Sequence, residues 1–315
     1  MTGYLLRRAG TSIVVLIGVS IFVFFLLHTI YPSPAIDVLG QKADPAAVAR
    51  WNQDHGFNDP FVVQYLHYLN NLLHGNLGYS YKVNQSVLAL FQGRWARSLY
   101  ISATSIFLAV VIAIPLGIFQ AVRRNTIGDN VATTLAFVTY AMPPFFLYII
   151  AIQVLALNFP IFSFEASQHT SMIAIILDVR SMTLPILCFT ALILAGYSRY
   201  MRSTAMDTLA QDYIKAARAK GLPERLVLWR HLVRNAFLPM ITLIGLSIPV
   251  LLAGNLICEA VFNFPGLGLL FYDSLGTADY PILLAYTLVG AALTVAGNFI
   301  ADISLTVADP RIRLV

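Results

Sequence analysis

Residues 213–235 read YIKAARAKGLPERLVLWRHLVRN. Seven charged side chains (Lys215, Arg218, Lys220, Glu224, Arg225, Arg230 and Arg234) fall within these 23 positions, although only 11% of the chain is charged. Strongly apolar runs flank the stretch, near 182–201 and 237–258. A basic segment of helical periodicity between two runs that avoid water is the pattern of a connection lying at a membrane surface.

The rest of the chain supports that setting. Hydrophobic residues make up 58% of the 315, and the mean hydropathy is +0.74, against roughly 45–50% apolar residues in soluble domains. The excess is blocky. Further apolar runs lie near 9–30, 99–122, 131–157 and 282–306, each close to the ~20 residues that cross hydrocarbon. The first follows Arg7 and Arg8, exceeds the core of roughly 7–15 residues of a signal peptide and ends without a small-residue cleavage pattern, so it reads as a retained span. The expected fold is an all-α polytopic membrane protein with six transmembrane helices. Pro115, the Pro143–Pro144 pair, Pro185, Pro239 and Pro249 lie within the runs and read as kinks whose freed carbonyls neighbouring helices satisfy.

Orientation follows from Lys and Arg in the flanks. With the N-terminus inside, 14 of the 20 fall on the inner side: Arg7, Arg8, Arg123, Arg124, Arg199, Arg202, those of the opening stretch, Arg311 and Arg313. Lys42, Arg50, Lys82, Arg94, Arg97 and Arg180 fall outside, as do most acids, Glu259 among them. Both termini are expected in the cytoplasm. The organisation expected is a first span at 1–30, an extracytoplasmic helical segment at 31–98, a five-helix core at 99–306 with an elbow at 203–235, and a tail at 307–315. Within the outer segment, Val63, Leu66, Leu69, Leu72 and Leu73 recur at helical spacing after Pro60.

Several chemistries lack their residues. No phosphate-binding G-x-x-x-x-G-K-[ST] loop, H-E-x-x-H or G-x-S-x-G occurs. Cys188 and Cys258 lie inside apolar runs and indicate neither a disulfide framework nor a metal cluster. His28 and His231 read as interfacial or packing residues. Asp302, near the inner end of the last run, reads as a helix-end or packing residue rather than an ion-coupling site. No catalytic residue and no metal ligand is expected. The chain reads as a conduit without an engine.

Within the opening stretch, Met206, Leu209, Tyr213 and Ala217 recur at helical spacing, which predicts one amphipathic helix over 204–220. Gly221 supplies the left-handed conformation that ends it. Pro223 suits the first turn of a second helix with the stripe Leu226, Val227, Leu232 and Val233. Ala216, Ala217 and Ala219 at the bend would allow close approach of another surface. A helix lying on anionic lipid is the competing reading; a DNA-reading helix pair pinned between two spans is not physically sensible, so no nucleic-acid partner is expected.

KAARAKG resembles the E-A-A-x-x-x-G signature of permease subunits of binding-protein-dependent ABC importers. Ala216, Ala217 and Gly221 match it, and Lys215 stands where the family has glutamate. YIKAARAKGL with RHLVRNA is similar to the peptide-importer branch, as are, in order, DPFVVQYLHYLNNLLHGNLGYSY, AIPLG, AMPPFF, EAVFNFPGLGLL and DPRIRL. The long segment after the first span resembles the B-type of the two permeases in dipeptide and oligopeptide importers. The resemblance implies the ABC type I importer permease fold in a bacterial inner membrane. It also implies a second homologous permease, two cytoplasmic ATPase subunits that use ATP and Mg, and an extracytoplasmic peptide-binding protein. Coupling to the ATPase would fall to Lys215, Ala216, Ala217, Arg218, Lys220 and Gly221. Tyr140, Gln153 and Asn255, polar or aromatic groups within spans, are candidate lining residues. Nickel or another small solute is the alternative cargo, and an ion-coupled secondary transporter the alternative class.

Overall fold

The computed structural model describes residues 2–30, 33–40, 42–80 and 82–308. Among them, four helices are long and apolar enough to cross a membrane, and two further pairs qualify as bent units. The all-α polytopic architecture is thus observed, with one two-stranded hairpin among the described residues.

Helix α1 (Thr2–Ile30) leads into three short helices, α2 (Ala35–Leu39), α3 (Pro45–Asp54) and α4 (Phe61–Leu73). The periodicity after Pro60 does make a helix, with Pro60 capping it. One face of α4 docks on the first and last spans: Tyr65 and Tyr68 pack with Phe24 and Leu284, and the Tyr65 hydroxyl bonds Ser20 Oγ at 2.7 Å. Strands β1 (Tyr79–Ser80) and β2 (Gln85–Ser86) pair antiparallel, and the Ser80 hydroxyl bonds Asp279.

Helix α5 (Val87–Val122) has 36 residues, about 54 Å at 1.5 Å per residue, well beyond the ~30 Å hydrocarbon core. It starts 12 residues ahead of the apolar run at 99, because Ser86 caps it there, accepting from the Ala89 N–H at 3.3 Å. Its small residues Ala113, Gly117 and Ala121 lie along the face packed on the fourth span. A Cβ on Gly117 would stand 2.7 Å from Met201 Cβ and 2.9 Å from the Arg202 backbone nitrogen. Small residues let membrane helices approach this closely.

The run expected as a span at 131–157 is not one straight helix. Helices α6 (Ile127–Ala141) and α7 (Pro144–Ile152) meet at 107°, and a π-helical turn, Gln153–Asn158, follows. A residue before proline is pushed out of the helical region. With two prolines in a row, Met142 (ψ 133°) and Pro143 (ψ 135°) are both extended, so the chain turns.

Helix α8 (Met172–Leu177) precedes α9 (Val179–Leu209), which packs along α5. The Ser105 hydroxyl donates to Ile186 O at 3.2 Å and the Thr190 hydroxyl to Ser105 O at 3.3 Å. The elbow helices α10 (Asp212–Ala219), α11 (Glu224–Leu226) and α12 (Arg234–Ala236) come next, with a π-helical stretch, Val227–Val233, between the last two. The following span is broken into α13 (Leu238–Gly245) and α14 (Ile248–Ala253), with α15 (Leu256–Val261) beyond Gly254. Helix α16 (Leu267–Thr277) and α17 (Tyr280–Ala308) complete the chain. The main core lies where α5, α7, α9 and α15 meet, around Ile101, Tyr148, Leu184, Phe189, Cys258 and Phe262. Both cysteines are buried free thiols. The tail beyond Ala308 and the side chain of Asp302 lie outside the described residues.

Candidate functional site

The expected helix 204–220 is two helices. Helix α9 carries Met206 and Leu209 to its end, Gln211 is extended at ψ 148°, and α10 begins at Asp212. Met206 and Leu209 pack with Met201, Leu232 and Ala236 on the span's own cluster, and Leu209 also packs against the elbow's Ile214, Ala217 and Val227, so it joins the end of the span to the elbow.

Helix α10 then stops where Gly221 stands. The Leu222 N–H bonds Ala217 O at 3.3 Å and the Gly221 N–H bonds Arg218 O at 2.9 Å, with Gly221 at φ +75°. These two bonds are the pair that closes a Schellman turn, which needs a left-handed residue at that position. The accompanying apolar contact is present: Leu222 packs with Ile214, Ala217 and Val227. Pro223 is extended and caps the second arm from just outside it, rather than occupying its first turn. Val227 and Leu232 of the predicted stripe are fully buried, while Leu226 is exposed.

Ala217 is buried in this small core, which corrects its place among the residues offering a close-approach surface. The outward face of α10 shows Tyr213, Lys215, Ala216, Arg218, Ala219 and Lys220, with Gly221 exposed beside it. Lys215 pairs with Asp212 at 2.9 Å and Arg218 with Glu224 at 2.6 Å across the bend. The Arg218 guanidinium bonded to it holds the Glu224 carboxyl below the usual range. The pair's stabilisation is therefore present at neutral pH and lost as pH falls into the acid range. Both side chains are about half exposed, so the contribution is at most about 1 kcal/mol.

At the same end of the spans a second ion pair is buried. Arg202 Nε and Nη2 donate to the two Asp129 oxygens at 2.8 Å each, and the Asn125 N–H and Thr133 hydroxyl add bonds of 2.9 and 3.1 Å. Asp129 is 1% exposed. This locks the connection between α5 and α6 to α9.

The three candidate lining residues fall on three different features. Tyr140 is 63% exposed and lies beneath the Arg199 guanidinium, in an open cavity of about 560 Å³. Gln153 opens the π-helical turn, where its amide bonds Asn158 at 3.0 Å. Asn255 caps α15, its Oδ1 accepting from the Cys258 N–H at 3.0 Å, so that oxygen is committed to the helix.

Glu259, counted above among the outer acids, is fully buried. One oxygen accepts from the Asn255 N–H at 3.2 Å; the other accepts from Gly268 N–H at 2.7 Å and Leu269 N–H at 3.3 Å. Ser98 of α5 bonds the same carboxylate and also accepts the Leu267 N–H at 2.8 Å. The first N–H groups of a helix have no partner within it, and Gly266, which precedes α16, has no side chain to supply one. Glu259 and Ser98 supply it instead, the carboxylate sitting at two positive helix ends. The local signal was Asn255 followed four residues later by Glu259, and the glycines at 266 and 268; nothing local points to Ser98.

The fold and the elbow together define a polytopic membrane protein with an amphipathic turn exposed between two spans. The chain belongs to the family described as binding-protein-dependent transport system inner membrane component, which it matches over residues 113–314; the N-terminal region of such membrane components matches over residues 1–102. It is 37% identical over 315 residues to the oligopeptide transport system permease protein AppB of Bacillus subtilis, covering 99% of this chain and 100% of that one. It is 32% identical to the glutathione permease GsiC of Salmonella choleraesuis and to the dipeptide permease DppB of Escherichia coli K12, with 99% of each chain covered.

Proposed function

We propose that this chain is one of two homologous permease subunits of an importer that carries short peptides inward by alternating access. Two separate ATPase subunits bind and hydrolyse ATP with Mg, and this chain holds no cofactor of its own. A peptide-loaded binding protein docks outside, and the elbow at 212–236 seats on an ATPase, presenting Lys215, Ala216, Arg218, Lys220 and Gly221 while Ala217 supports them from within. Closure of the ATPases would move the elbow and the spans joined to it.

The observation that carries the cargo is the full-length similarity to permeases named for oligopeptides, glutathione and dipeptides, all of which are peptides. A strain lacking this chain should fail to grow when a required amino acid is supplied only as a peptide, and recover when it is supplied free. Persistent peptide uptake together with failed nickel uptake would replace the cargo.

The 14-to-6 distribution of basic residues supports cytoplasmic termini. With Cys188 and Cys258 both buried, single-cysteine labelling has a low background. A membrane-impermeant maleimide applied to sealed cells should modify Asn70→Cys and spare Lys220→Cys. Modification of Lys220→Cys from outside would reverse the topology.

A further inference from the structure

Arg199 and Arg202 sit one turn apart on α9 and meet different fates. Arg202 is neutralised by Asp129. Among the described residues no carboxylate pairs with Arg199; its guanidinium carbon lies 4.0 Å from the Phe137 ring centre and 4.7 Å from that of Tyr140.

The direction of the side chain is informative. Asp129 is in the first turn of α6, whereas Phe137 and Tyr140 are eight and eleven residues further along it, about 12 and 16 Å at 1.5 Å per residue. Arg199 therefore reaches away from the connection at 123–126 and toward the middle of the span. An arginine facing lipid near a helix end turns its head to the aqueous boundary instead. A guanidinium held inward is compatible with a membrane only where it faces a water-filled passage or a partner charge. Here it faces the open cavity of about 560 Å³, whose wall includes Tyr197, Tyr200 and Ser203. At Gly196 on that wall a Cβ would meet only Tyr140, at 3.9 Å.

We infer that Arg199, clamped by Phe137 and Tyr140, receives the C-terminal carboxylate of the peptide as it crosses. This rests on the peptide-importer reading above. The free carboxylate is the one anionic group that peptides share whatever their side chains, and a guanidinium fork matches it with two parallel bonds. The two rings, three residues apart on α6, hold the guanidinium in place. The peptide's ammonium end is repelled, so the site orients the cargo. Its openness suits passage rather than capture.

The test uses the whole transporter, with its ATPases and binding protein, in proteoliposomes. Trialanine and trialanine amide are each supplied on saturated binding protein, so that selection by the binding protein drops out. Wild type should move the acid roughly tenfold faster, the size of one charge-assisted contact. Arg199→Gln should bring the acid-to-amide ratio near one, and Arg199→Lys, which keeps the charge without the fork, should fall between. Co-purification of the partner subunits checks assembly. A ratio unchanged in Arg199→Gln, or a loss equal for both peptides, overturns the inference. So does release of the second permease from Arg199→Gln, which would make Arg199 an inter-subunit ion-pair partner. If wild type moves neither peptide, the peptide reading itself fails, a result separate from any behaviour of the variant.

Discussion

Gly266→Ala is expected to lower the thermal stability of the detergent-solubilised protein by roughly 10 °C, taking about 3–5 kcal/mol from overpacking (about 1–3) and unmade hydrogen bonds (about 1–3 each), at ~2–4 °C per kcal/mol. A Cβ at Gly266 would overlap the Glu259 carboxylate and the Ser98 hydroxyl, and Gly254, at φ +84°, closes on the same two groups from the other side. The carboxylate cannot retreat without giving up Gly268 N–H and Leu269 N–H. What remains is a buried carboxyl group with part of its hydrogen bonding removed and helix N–H groups without acceptors, each a large cost in a dry setting. Glu259→Gln should be harmful as well despite its equal volume, because one oxygen becomes an NH₂ donor among N–H donors. Both are measured by scanning fluorimetry of purified protein, with membrane levels followed by blotting. Wild-type stability in Gly266→Ala would show that the cradle opens freely and that Glu259 is not the clasp joining α5, α15 and α16.

Gly221→Val is expected to abolish transport, and with it substrate-stimulated ATP hydrolysis, at normal membrane levels. No heavy atom lies within 4 Å of a Cβ built at Gly221, so the cost within this chain is conformational. A left-handed L-residue costs roughly 1–2 kcal/mol, and a β-branched one more. If the chain leaves φ +75°, the two bonds to Ala217 O and Arg218 O go, Leu222 lifts off Ile214 and Val227, and the arms lose their fixed angle. The spans, which pack through other clusters, stay inserted. Asparagine tolerates the left-handed region, so Gly221→Asn separates two causes. Recovery with asparagine assigns the defect to the turn; failure with an intact elbow assigns it to a close-fitting surface at Gly221. Full transport by Gly221→Val, with failure when Lys220 and Arg225 are both changed to Gln, would sink the coupling role and leave a helix resting on anionic lipid.

The elements legible in the sequence are those whose cause lies within a few residues. Gly221 stops α10 because a Schellman turn needs a left-handed residue, and that need is met or failed locally. The apolar runs announce spans because hydrocarbon selects length and composition alone, and Pro143–Pro144 marks a kink because each proline restricts the residue before it. That the kink is a turn of 107° between two separate helices came only from the structure. Ala217 and Ala216 are adjacent and chemically identical, yet one is buried under Val227 and the other exposed; the second arm decides which. Arg199 and Arg202 look equally cytoplasmic until Asp129, some seventy positions away, neutralises one and leaves the other over Phe137 and Tyr140. Glu259 reads as an outer acid because its charge is legible while its solvation is not. Ser98 and Leu267 are separated by 169 positions, and a carboxylate's surroundings at that range exist only once α5, α15 and α16 have packed.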